Sequence, residues 1–293
     1  MRIDAHHHLW DLGAVNYPWL MDKGVKRFFG DPTPIQRDYL LDEFRRDASQ
    51  FEGSVHIQVG AADPMAEAQW VQEIADENSD WPLVQVVFCD LTSDDLDAQL
   101  DAYQKLPTVR GVRQIVGRAP EEDAKTGTND LLSNPRFVEG LKKVGARGLS
   151  FDLQLIPELY ESMGDVIAQA PDTPVALCHA GSPYDRSPAG LAAWDTSLAA
   201  LSDHPQVSCK LSGLGMFDHQ WTADSIRPIV ETCLKHFGRS RVMFGSNFPV
   251  DSLSSDYATL LAAYQELLPD ADKPLIFGQN AVEFYRMARG GTS

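Results

Sequence analysis

The chain has 293 residues, 43% of them hydrophobic and 23% charged, with a net charge of −17. That composition excludes a disordered chain, and the negative charge opposes a nucleic-acid backbone or an anionic bilayer as partner. No apolar run nears the roughly 20 residues of a membrane span, and the N-terminus enters Arg2 and Asp4 without a signal-peptide core, so a cytoplasmic protein acting on a small molecule is expected.

Taken in order, short β-branched or alternating runs fall at 2–9, 54–60, 83–90, 109–115, 148–155, 174–180, 206–214 and 241–247. Longer stretches with helical spacing separate them, among them 65–78, 94–106, 134–148 and 226–238, several with an acidic or Asn start and a glycine stop. Alternation of this kind predicts βα units and a parallel sheet. Eight units without a Pro/Gly/Ser-rich seam predict an α/β fold, a single (β/α)8 TIM barrel over residues 1–293. The competing open sheet lacks its glycine-rich phosphate loop after the first strand. Residues 16–39, with YPWL, RFFG and DPTP, are too long for a simple βα loop and are expected to form a lid or wall. Cys89, Cys178, Cys209 and Cys233 show no CxxC spacing and are expected to be reduced and mostly buried.

The first strand carries DAHHHLWD. Strict alternation places Asp4, His6 and His8 on one face and Ile3, Ala5 and His7 on the other. In a barrel the C-terminal strand ends converge on the site, so His6 and His8 would meet His179, which ends the sixth strand, and Asn247, which ends the eighth. Gln58, Arg113, Asp152, Gln154 and Lys210 interrupt runs whose opposite parity is largely apolar, which points to a wet pocket or to buried ion pairs. His7 is expected to face the helices and His56 to fill the barrel, whereas His204, His219 and His236 are expected in solvent. Trp10 and Trp19 are candidates to stack on a sugar-like ring, and Gln58 to donate a hydrogen bond to substrate.

DAHHHLWD followed by YPWL, then RGVRQ, CHAG, KLSGL and RVMFGSNFPVD with FGQNAVEFYRM, resembles the amidohydrolase superfamily, in particular the group with sugar-acid and pyrone dicarboxylate lactonases. The resemblance implies a barrel that hydrolyses a cyclic ester, with His6, His8, His179 and Asn247 at the catalytic positions. It departs twice from the family pattern. The fifth strand, FDLQL, supplies no histidine, and the aspartate that ends the eighth strand as general base is here Asn247. An amide cannot take a proton from water at neutral pH.

Two routes replace that base. His6, His8 and His179 match a three-histidine zinc site with an open position, which activates water itself. Alternatively the chemistry is metal-independent, with the histidines polarising the carbonyl and Arg113 and Lys210 gripping substrate carboxylates. Asp251 could stand in as base, although capping its own loop is the plainer expectation. Competing functions are a metal-dependent decarboxylase on the same barrel, which normally keeps the aspartate, and a binding protein that has lost catalysis. No GxSxG elbow is present.

Overall fold

The β-branched runs become strands because their two faces are both covered, one by the barrel interior and one by helices. In the computed structural model, which describes residues 1–118 and 120–287, the strands are β1 (Ile3–His7), β2 (Gly53–Ile57), β3 (Leu83–Phe88), β4 (Val109–Ile115), β5 (Ser150–Gln154), β6 (Val175–Leu177), β7 (Val207–Leu211) and β8 (Val242–Phe244). They form one parallel sheet in chain order. The helices are α1 (Pro18–Met21), α2 (Leu41–Asp47), α3 (Pro64–Glu77), α4 (Leu96–Tyr103), α5 (Pro120–Thr126), α6 (Pro135–Ala146), α7 (Tyr160–Ala168), α8 (Pro188–Ser202), α9 (Ala223–Phe237), α10 (Tyr257–Leu267) and α11 (Asn280–Phe284). This is the expected TIM barrel. Asp63, Asn134, Ser187, Thr222 and Asp256 cap the starts of α3, α6, α8, α9 and α10 with their side chains. No helix among the described residues is long and apolar enough to cross a membrane, and the four cysteines are free and buried.

The seam between β1 and the segment after β8 is closed by two backbone bonds. Asn247 N–H donates to His6 O at 2.7 Å and His8 N–H to Phe248 O at 2.8 Å. The bonds that close the sheet are thus made by residues flanking or belonging to the candidate site.

Strict alternation fails in β1. Its pairing with β2 slips between Asp4 and His7, a bulge that puts an extra residue on one strand. Ile3 and Ala5 face inward, packed with Val55, Ile57, Val84, Val86, Ala176 and Met243. Asp4 faces the helices instead, where its carboxylate accepts from Tyr257 Oη at 2.9 Å. His7 does point outward as expected, stacked 3.8 Å from the Phe44 ring of α2. His56 does not fill the barrel. It faces α3, with Nε2 3.5 Å from Glu67 and Nδ1 accepting from Leu9 N–H.

β6 and β8 are shorter than expected because the chain turns left-handed just beyond them, at His179 (φ 56°) and Asn247 (φ 57°). Both residues stand in turns at the mouth rather than in strands. The segment 16–39 crosses the same mouth, with α1, a short helical turn at Thr33–Ile35 and a tight antiparallel bridge between Arg27 and Gly30.

Candidate active site

A cavity of about 460 Å³ opens at the C-terminal ends of the strands. His8, His179 and Asn247 contribute to its lining, as do Gln58, Arg113, Gln114 and Gln154 from β2, β4 and β5, and Trp19, Arg27, Phe28 and Phe29 from the 16–39 segment. Arg118, Glu122 and Thr128 complete the side beyond β4.

His6 lies beneath this lining, fully buried, with its ring centroid 4.6 Å from that of His179 and 5.2 Å from that of His8. Three imidazoles thus come together from β1 and the turn after β6. Each is held neutral. Burial, then the Arg113 charge, pushes His8 down to about 3. Burial also drives His6 and His179 well below the usual histidine value, seconded by Lys210 for His6 and by Arg113 for His179. His8 Nδ1 faces the Ile57 carbonyl at 2.7 Å, a contact that requires the proton on Nδ1 and leaves Nε2 as a bare lone pair. His179 Nδ1 hydrogen-bonds Ser212 Oγ at 3.0 Å.

Arg113 is pinned at the wall. Its Nη1 donates to Gln58 O at 3.0 Å and its Nη2 to Gln154 Oε1, while Nε is buried without a partner. Gln58 spends its own side-chain oxygen on Gly60 N–H at 2.9 Å. The fifth- and seventh-strand candidates behave differently. Asp152 and Lys210 do point inward, but they form a fully buried ion pair at 2.5 Å, and Tyr285 Oη donates to the same carboxylate. Neither lines the cavity, so they are corrected from substrate contacts to a structural pair below it. Trp10 is corrected likewise. Its indole is fully buried and donates to Arg37 O at 2.6 Å, whereas Trp19 reaches the cavity.

Asn247 is also buried. Its Nδ2 donates to Asp251 Oδ1 at 2.9 Å, and its Oδ1 lies 3.2 Å from His8 Nε2. Asp251 caps nothing in its own loop by its carboxylate among the described residues. It faces Asn247, and its Oδ2 is buried without a partner. Burial pushes its pKa up to about 7, against the lowering pull of the Asn247 amide and the Gly215 N–H.

The residues missed from sequence are those of the roof and far wall. Arg27, Phe28 and Phe29 come from a loop whose path no periodicity describes, although the aromatic–basic run KRFFG was a visible signal. His219 is exposed, as expected, and it also donates from Nε2 to Phe29 O at 2.7 Å, tying the roof to the loop after β7. His236 pairs with Asp195.

The amidohydrolase family profile matches residues 3–287. The chain belongs to the amidohydrolase family. Among its relatives is the uncharacterized protein y4mH of Sinorhizobium fredii, 36% identical over 97% of this chain and 98% of that protein. An L-fucono-1,5-lactonase of Burkholderia ambifaria is 27% identical over 98% of this chain and 96% of its own. In fold the chain is similar to a zinc-bound amidohydrolase of Burkholderia multivorans, with a TM-score of 0.81 and 23% identity over 98% and 100% of the two chains.

Amidohydrolases commonly hold a metal, and the donors present fit one by type. Zinc takes neutral imidazoles whose other nitrogen is anchored. His8 and His179 have that anchoring, and both ring nitrogens of His6 are buried without partners. Among the described residues, the set of three whose ligand atoms lie within 4.8 Å of one another is His6, Asp152 and Cys178 rather than the three histidines. Lys210 and Tyr285 already occupy that carboxylate, and the Cys178 thiol is pushed up to about 12 by burial. The histidine set is therefore the better donor group.

Proposed function

We propose that the protein hydrolyses a small lactone of a sugar acid or other carboxylated ring. The observation that carries this reading is the pairing, across one cavity, of neutral imidazoles at its base with a guanidinium fixed on its wall. The relatives named as lactonases support the same class of bond.

Arg113 is the group that would bind a substrate carboxylate or ring hydroxyl, because a guanidinium offers planar, charge-assisted donors and this one lines the cavity with its plane fixed by Gln58 and Gln154. Trp19, Phe28 and Phe29 would cover the ring and exclude water from above. His6, His8 and His179 would hold a divalent ion, whose chemistry there is Lewis acidity toward an ester carbonyl and water. Asn247 Oδ1 accepts a hydrogen bond from the attacking water and orients it, without taking its proton. A decarboxylase reading is disfavoured because the eighth-strand carboxylate is an amide.

The test is a pH-indicator screen of aldonic-acid and carboxylated lactones, run on zinc-loaded and on chelated protein. Hydrolysis of at least one acid-bearing lactone is expected, and its loss on chelation with recovery on added zinc. Activity that survives chelation assigns the work to the side chains alone. An inert protein across the panel, with and without zinc, removes the lactonase assignment.

A further inference from the structure

We propose that Asp251 is a positioning residue that fixes the Asn247 amide with Oδ1 toward His8 and the cavity, so that an acceptor rather than a donor faces the nucleophile. The role in catalysis rests on the lactonase reading, whereas the orientation of the amide rests on geometry alone.

The two ends of an asparagine side chain are alike in shape and opposite in polarity, so its partners decide which way it points. As a carboxylate, Asp251 can only accept. It takes Nδ2 at 2.9 Å, which turns Oδ1 toward His8 Nε2 at 3.2 Å. That imidazole has already spent its one proton on the Ile57 carbonyl. Two lone pairs consequently meet at the cavity wall with no proton between them. Left alone, the arrangement is unfavourable, because each acceptor is removed from water. It becomes favourable when the His8 Nε2 lone pair is turned to the divalent ion that the histidines would hold, which leaves Asn247 Oδ1 to accept a hydrogen bond from the attacking water.

Without the carboxylate the conflict resolves differently. The amide turns over, Nδ2 donates to His8 Nε2, and the pair of acceptors disappears. Asp251 thus holds open an arrangement that Asn247 and His8 would not keep by themselves. The residue is 2% exposed, its backbone N–H reaches Asn247 O at 3.1 Å one turn back, and its carboxylate takes the Asn247 amide and the Gly215 N–H rather than its own loop. A buried carboxylate with one unpartnered oxygen costs stability that an apolar side chain in the same place would not.

Histidine-15N NMR of the chelated protein at pH 8, where the carboxylate form prevails, reads the orientation directly. Asp251→Leu should move the His8 Nε2 resonance toward that of a hydrogen-bond acceptor, and Asp251→Asn, which keeps the shape and can offer either end of its amide, should broaden or partly shift it. With any lactone the screen finds, Asp251→Leu should lower kcat by roughly 10²-fold with little change in KM, comparable to losing one oriented hydrogen bond in an active site. If the His8 resonance is unmoved in both single variants, Asp251 does not set the amide and the proposal falls, whether or not a substrate is known. If the resonance moves but kcat does not, the catalytic half of the proposal falls.

Discussion

Arg113 shows how a single side chain can be committed and available at once. Two of its five N–H groups are used on Gln58 and Gln154, which fixes the plane of the guanidinium, and the group still lines the cavity. Replacing it by Met should cost about 1.5–3 kcal/mol of substrate binding, the worth of a hydrogen bond to a charged group. That is a rise in KM of roughly 10- to 150-fold for an acid-bearing lactone and much less for its neutral analogue. Equal effects on both substrates would make Arg113 a support for Gln154 and nothing more. The same alternation argument placed Lys210 and Asp152 inside the barrel, and both are there. What alternation does not encode is depth. Lys210 and Asp152 lie one layer below Gln154 and His8, where they satisfy each other, so parity was legible in the sequence and the layer was not.

Among the elements, the strands were legible because each is an apolar run, and the helices because their starts are capped by Asp, Asn, Ser or Thr. The bulge in β1 was not, since nothing in DAHHH marks where one extra residue enters the pairing. It changes the reading of Asp4 and leaves that of His6 and His8 intact. The 16–39 segment was recognisable as an insertion by length alone. Its attachment to the rest depends on contacts 190 residues apart in sequence, those of Phe29 with His219. Gly30 is the tight point. Its φ of +108° suits glycine, and a Cβ there would stand 2.7 Å from the His219 ring. Gly30→Ala should push His219 off Phe29, accelerate amide exchange over residues 27–30 relative to the barrel, and raise KM severalfold while kcat changes less. Exchange that stays as slow as in the natural protein would show that the roof is held by its aromatic contacts instead.

For the whole molecule, the neutral histidines set the response to acid. His6, His7, His8 and His179 all titrate below 6.5 when folded, His7 because of burial and then His56. From pH 6.5 downward the unfolded chain therefore binds protons that the folded one refuses, and stability is lost. Asp4 and Asp251, raised to about 6 and about 7, act in the opposite sense. Between those values and 3.8 they hold protons in the fold that they would release on unfolding, so they add stability as the pH falls. Four groups oppose two. The Tm of the chelated protein should decline from pH 6.5 to pH 4.5, and a flat or rising Tm over that range would mean that these imidazoles accept protons in the native state.

The barrel closes where its ends meet, and translation separates those ends in time. The strand bearing His6 and His8 leaves the ribosome well before β8, whose first residue, Val242, follows His7 by 235 positions. At the usual 5–20 residues per second, roughly 10–50 s pass before the partner that satisfies His6 O and His8 N–H exists at all. During that interval three adjacent imidazoles sit on an unclosed sheet edge, open to solvent metal and to chaperones. A product of interrupted synthesis that stops between His179 and Asn247 carries the histidines and the guanidinium of the proposed site, but neither the amide beside His8 nor the backbone bonds that hold that edge shut.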